Sequence, residues 1–247
     1  MHEEYIRKVP SSPMAVLLIH GIVGTPNHFR HFLPLFPEEW SVYNILLDGH
    51  GGSVSGFSAT SMKKWKAQVS ARMEEILQNS DKVMIVGHSM GCLFAIQAAV
   101  QFPDRVTQLF LLNMPLRLRL PLSTIAATMR IAFGKVRPCD TVAIEMTADG
   151  GVTLETGFWK YIPWTPRFME LLQQMHHTEK LLPQLTVPTQ AYHSMNDELV
   201  SEKSCTAMEK CGVISCIRLP NSGHFRYEGE DLPLLQSRLM ELIEQYL

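Results

Sequence analysis

The 247-residue chain carries 22 Lys and Arg against 24 Asp and Glu, a formal net charge of −2, and 46% apolar residues. This composition supports a sizeable core and gives no electrostatic case for binding nucleic acid or an anionic membrane surface. The N-terminal run Met1 to Lys8 is polar and the longest apolar stretches are strand-length, so neither a secretory signal nor stable membrane insertion is predicted. Cysteines at 92, 139, 205, 211 and 216 show no C-x-x-C or zinc-type spacing, and free thiols in a reducing cytoplasm are expected.

Taken in chain order, Met14 to Ile19 is a continuous apolar run that predicts a strand buried on both faces. Thr25-Pro26 has the form of an N-cap followed by proline at the first helical position, with a helix to about Phe36. Val42 to Leu47 is the next strand. It ends at the turn cluster Asp48-Gly49-His50-Gly51-Gly52-Ser53, where Asp48 and His50 read as turn formers. A helix fits residues 61–79, with Met62, Trp65, Val69, Met73, Ile76 and Leu77 on one stripe. Strand Lys82 to Val86, helix Gly91 to Val100 and strand Val106 to Leu112 follow. After a gap come strand Thr189 to His193, a helix near 201–211, strand Ile214 to Leu219 and a helix over 230–246. The alternation predicts an α/β fold, a mostly parallel central sheet with helices on both faces.

Residues 114–181 interrupt the alternation. The predicted division is a core of residues 1–113 and 182–247, with 114–181 inserted as a cap over the C-terminal ends of the strands, where open α/β sheets bind ligands. Within the insertion, a helical pattern over Leu122 to Phe133 ends at Gly134. Val142 to Thr147 and Val152 to Thr156 flank Ala148-Asp149-Gly150-Gly151 as a β-hairpin or a loop. Phe158 to Trp164 is dense in aromatics, and a helix is predicted from Arg167 to Leu181.

Gly87-His88-Ser89-Met90-Gly91 follows a strand and opens a helix, the arrangement of a nucleophile elbow. A serine in a strained turn leaves no room for side chains two residues to either side. Its hydroxyl needs a general base and an acid that orients the base, in chain order Ser, Asp or Glu, His. His224, in the loop after the last strand, is the candidate base. Asp197, directly after the penultimate strand, is the candidate acid, with Glu198 as its neighbouring alternative. The end of strand 106–112 holds Asn113, which carries no charge. The oxyanion needs two donors: the backbone N–H of Met90 and, from the loop His20-Gly21-Ile22-Val23-Gly24, that of Ile22. His20 reads as bonding that loop in place. No metal site is predicted from His28 and His31 or from His176 and His177, because adjacent histidines face different sides of a helix and no carboxylate completes a set.

Together, His20-Gly21-x-x-Gly24, Asp48-Gly49-His50-Gly51-x-Ser53, Gly87-His88-Ser89-Met90-Gly91, Asp197 and Asn221-x-Gly223-His224 resemble the α/β-hydrolase superfamily. Within it, the chain is similar to small bacterial carboxylesterases and monoacylglycerol lipases. The resemblance implies an eight-strand-type sheet, although the short N-terminus predicts that one or both leading antiparallel strands are missing. It implies a serine esterase that cleaves small-molecule carboxylic esters with short to medium acyl chains through an acyl-serine, without a cofactor. The aromatics at 158–168 suit an apolar acyl pocket and equally suit packing of a cap onto the body. A thioesterase, or a C–C bond hydrolase or lyase, with the same triad is an alternative, as is a non-catalytic ligand-binding scaffold.

Overall fold

The computed structural model describes residues 2–119, 130, 131, 133–138, 140, 144 and 150–247. Seven strands form one sheet: β1 (Tyr5–Arg7), β2 (Met14–Ile19), β3 (Ser41–Ile45), β4 (Lys82–His88), β5 (Val106–Leu112), β6 (Thr189–Ser194) and β7 (Ile214–Leu219). Their order is β1-β3-β2-β4-β5-β6-β7, and every pairing is parallel except β1 with β3. The helices include α1 (Val54–Ser58), α2 (Met62–Asn79), α3 (Met90–Gln101), α4 (Thr165–Leu181), α5 (Lys203–Met208) and α6 (Asp231–Glu244).

The continuous apolar runs of the central strands have a physical reason. All six residues of β2 are buried. Ala15, Leu17 and Ile19 face a layer containing α2 and α3, while Met14, Val16 and Leu18 face one containing α6. β4 and β5 divide their side chains between the same two layers. Each fully buried Leu, Ile or Val contributes about 1.5–3 kcal/mol of transfer free energy, so the sheet is held from both faces. In a parallel sheet all the strands end on one side, and the loops after β2, β4, β6 and β7 therefore meet there. Among the described residues no helix is long and apolar enough to cross a membrane.

Among the described residues one antiparallel strand, β1, precedes the parallel set, within the expectation that one or both such strands are missing; its three residues are too short to show a period. Elsewhere the structure departs from the sequence reading. The helix expected from Pro26 to Phe36 is two 3-10 turns, Pro26–Phe29 and Leu33–Leu35. Pro34 lacks the amide that an α-helical ladder needs there, and Phe29, Phe32 and Phe36 still reach the core. Cys205 and Cys216 are paired as a disulfide rather than free, with Cα atoms 6.0 Å apart. Packing of α5 on β7 brings them within bridging distance, which an eleven-residue spacing does not reveal, and cysteine usage no longer argues for a reducing compartment. Cys92 and Cys211 are free thiols.

In the insertion, most of the helix expected over Leu122 to Phe133 and most of the first hairpin arm lie outside the described residues; Arg130, Ile131 and, in that arm, Ile144 are helical. The second arm, Val152 to Thr156, is no strand. It makes a single isolated bridge, Thr153 to Ser53. The return helix α4 is present, preceded by 3-10 turns over Phe158–Trp164. Trp164 Nε1 donates to the Val54 carbonyl at 3.0 Å, and the Glu170 carboxylate accepts the Met62 amide at 2.9 Å. These bonds tie the insertion to α1 and α2.

Candidate active site

The elbow is built from close approaches that only glycine permits. Ser89 sits at φ +51°, in the left-handed region, where a non-glycine residue is strained by roughly 1–3 kcal/mol. A Cβ on Gly87 would lie 2.8 Å from the Cys92 backbone, and one on Gly91 would run into the Ile19 carbonyl at the end of β2. The Ser89 amide donates to the Leu112 carbonyl at 2.8 Å, which fixes the turn against β5. Ser89 is therefore presented at the start of α3 with its peptide neighbours fully packed.

Ser89, Asp197 and His224 meet. His224 Nδ1 donates to Asp197 Oδ2 at 2.7 Å, and His224 Nε2 lies 3.1 Å from Ser89 Oγ, placed to accept its proton. All three side chains are buried. Burial pushes the Asp197 carboxyl up, but the His224 charge and hydrogen bond and the Val200 and Leu199 amides outweigh it and hold the group below its usual range. Those amides bind Oδ1 at 2.6 and 2.8 Å, leaving Oδ2 to the imidazole. The carboxylate is thus ionised and oriented by its own turn, not by the terminus of α5, which begins six residues later.

His224 is also fixed through its backbone, a part that sequence reasoning gave to none of the residues that fill it. The Glu198 carboxylate accepts the His224 amide at 3.0 Å instead of facing the ring. His88 Nε2 donates to the His224 carbonyl at 3.0 Å, and the Asn113 side-chain amide reaches that carbonyl and the one of Gly223 at 3.3 Å each. Asn113 Oδ1 in turn accepts the Ser194 amide at 2.8 Å, so one side chain joins the ends of β5, β6 and β7. His28, one of the histidines considered for a metal, stacks on His88 with ring centroids 3.6 Å apart. Both imidazoles have their pKa lowered well below the ordinary value by burial, and then by neighbouring histidines. An uncharged wall therefore backs the site.

The loop after β2 lies against the serine. A Cβ on Gly21 would come 2.9 Å from Ser89 Cβ and 3.4 Å from Ser89 Oγ. Ile22 and Met90 flank this contact. Among the described residues neither of their amides donates to a protein acceptor, whereas the neighbouring Val23 and Ser89 amides bond to His50 Nε2 and Leu112 O. His20 holds the loop as expected: its Nδ1 donates to the Gly21 carbonyl at 2.8 Å and its Nε2 accepts the Leu47 amide at 3.1 Å. Asp48 sits within the turn closed by the His50 amide on the Leu47 carbonyl at 3.0 Å, as expected, and its carboxylate also accepts the Thr60 hydroxyl at 2.7 Å.

A family model described as the alpha/beta hydrolase fold matches residues 14–145. The chain is 23% identical over 241 residues to a thermostable monoacylglycerol lipase from Bacillus sp. (strain H-257), covering 96% of this chain and 92% of that one. In fold it is similar to a structure reported with the metagenome-derived lipolytic enzymes LipS and LipT. The TM-score is 0.75 at 22% identity, over 99% of this chain and 98% of that one. It is also similar to the thioesterase domain from the curacin biosynthetic pathway, with a TM-score of 0.63 at 18% identity, over 98% and 99% of the two chains. By the model match over more than half its length, the chain belongs to the α/β-hydrolase fold family.

Proposed function

We propose that the protein is a serine hydrolase of carboxylic esters with short to medium acyl chains, of carboxylesterase or monoacylglycerol lipase type. One observation carries this reading: His224 lies within hydrogen-bond distance of both Ser89 and a buried, ionised Asp197. In the reaction, His224 Nε2 takes the Ser89 proton as Oγ attacks the ester carbonyl. Asp197 holds the proton on Nδ1 and stabilises the imidazolium that forms. The oxyanion is received by the Ile22 and Met90 amides. His224 then returns its proton to the leaving alkoxide, and a water activated by the same imidazole releases the acid. No step calls for a cofactor. Residues 114–181 act as the cap that shapes the acyl site, held down through Trp164 and Glu170.

The test is a series of p-nitrophenyl esters of increasing acyl length, hydrolysed by the wild type and by Ser89→Ala. The expected result is turnover that peaks at short to medium chains and is lost in the variant. Undiminished turnover by folded Ser89→Ala contradicts the reading. Acyl thioesters assayed beside the oxygen esters decide between an esterase and a thioesterase, for which the same side chains would serve.

A further inference from the structure

Residues Gly21 to Gly24 form a turn closed by the Gly24 amide on the Gly21 carbonyl at 3.0 Å. Its third residue is Val23, at φ +54°. Turns with a left-handed third position take glycine or asparagine there, and a β-branched residue in that region is a genuine outlier. Such a conformation persists only when its surroundings over-determine it. Here they do so from both sides of the residue. The Val23 amide donates to His50 Nε2 at 3.1 Å, and the Val23 carbonyl accepts the Gly151 amide at 2.7 Å. Gly151 passes so close to Gly24 that a Cβ there would overlap the Gly24 carbonyl, and its own carbonyl accepts the Gly51 amide at 2.5 Å. Three loops, 20–24, 48–53 and 150–153, are joined at this one strained residue.

We propose that His50 is a positioning residue for the oxyanion loop: by accepting the Val23 amide it holds the left-handed turn that sets where Ile22 N–H points beside Ser89. The proposal rests on the reading of Ser89 as nucleophile. His50 is equipped for the part. Its Nδ1 faces the Leu47 and Asp48 carbonyls at 3.2 Å, which fixes the proton on Nδ1 and leaves Nε2 as the acceptor. Its ring is wedged among His20, Phe57 and Trp65, with centroids 4.8, 5.1 and 5.3 Å away. Burial pushes its pKa down to about 4 against the pull of the two carbonyls, so it stays an acceptor across neutral pH. A donor aimed at a developing oxyanion must be held to within about 0.5 Å. A relaxed Val23 would lose that placement without touching the serine or the base.

The experiment compares His50→Met, which keeps bulk and loses the acceptor, with His50→Gln, whose Oε1 can still accept. Turnover of a p-nitrophenyl ester is measured beside wild type and Ser89→Ala, with folded fraction read by circular dichroism. For folded His50→Met the account predicts that kcat falls by about a hundredfold, the lower end of losing an oxyanion donor, with KM little changed. His50→Gln recovers most of it. Adding Val23→Gly to His50→Met removes the strain that needs holding and also restores part of kcat. Wild-type kcat in His50→Met, or equal losses in the Met and Gln variants that follow the folded fraction, overturns the proposal. If His50→Met does not fold, His50→Gln decides: kcat near wild type supports the role, and a folded protein with a hundredfold loss overturns it. A wild type inert toward every ester sinks the reading of Ser89 itself. An active wild type with an unaffected His50→Met sinks only the part of His50.

Discussion

At the scale of single residues, the site rests on carboxylates with different tasks. Asp197 faces the His224 ring, and Glu198 faces the His224 backbone. Under the proposed mechanism, replacing the acid by its amide, Asp197→Asn, is expected to lower kcat by about four orders of magnitude, because the amide would no longer stabilise the imidazolium or select its tautomer. Glu198→Gln keeps an oxygen for the His224 amide, and a loss of less than about tenfold follows from the modest worth of one such hydrogen bond. Steady-state rates on one ester check both, and a larger loss in Glu198→Gln would reverse the assignment. The convergence of Ser89, Asp197 and His224 was legible in the sequence because chain order and loop position narrow the choice. The backbone clamps from Glu198, His88 and Asn113 were not, because each joins segments brought together only by the parallel sheet.

At the scale of elements, the elbow depends on β2 and α3 approaching without side chains between them. Gly91 is the contact, and Gly52 is its natural control, since a Cβ there meets nothing within 4 Å. Gly91→Ala drives a methyl into the Ile19 carbonyl and is expected to cost at least about 1–3 kcal/mol, as overpacking does. Gly52→Ala should stay within about 0.5 kcal/mol of wild type, as open surface changes do. Urea unfolding of the two variants checks this, and equal stabilities would contradict it. The helix α2, with its clean apolar stripe, and the strand β2, a continuous apolar run, were readable to within a residue or two. The segment after Thr25 was not, because Pro34 breaks the ladder while the apolar spacing of Phe29, Phe32 and Phe36 imitates a helix.

For the whole molecule, a set of buried imidazoles ties folding to pH. Burial lowers the pKa of His20, His28 and His88 well below the ordinary value and that of His50 to about 4. Each binds a proton more weakly folded than unfolded, so its contribution is complete above the unfolded value of 6.5 and is lost as pH falls below it. His50 alone accounts for on the order of 3 kcal/mol between 6.5 and its folded pKa. The depressed Asp197 adds a further loss at lower pH, below the ordinary carboxylate range. The unfolding free energy should therefore drop steeply between neutral pH and pH 5, and a flat profile over that interval would contradict this account. The overall architecture was legible from alternation alone. Residues 114–181 were legible only as an interruption of the alternation, since a segment with little regular period leaves its packing to contacts across the chain.

The central claim is that Ser89 is the nucleophile, and an active-site phosphonate tests it most directly. The reagent forms a stable adduct only where an activated hydroxyl, its base and oxyanion donors converge. Intact mass and peptide mapping of the treated protein should give one adduct per chain, on Ser89, with none in Ser89→Ala. A folded wild type that takes no label, or an adduct that persists in Ser89→Ala, would contradict it.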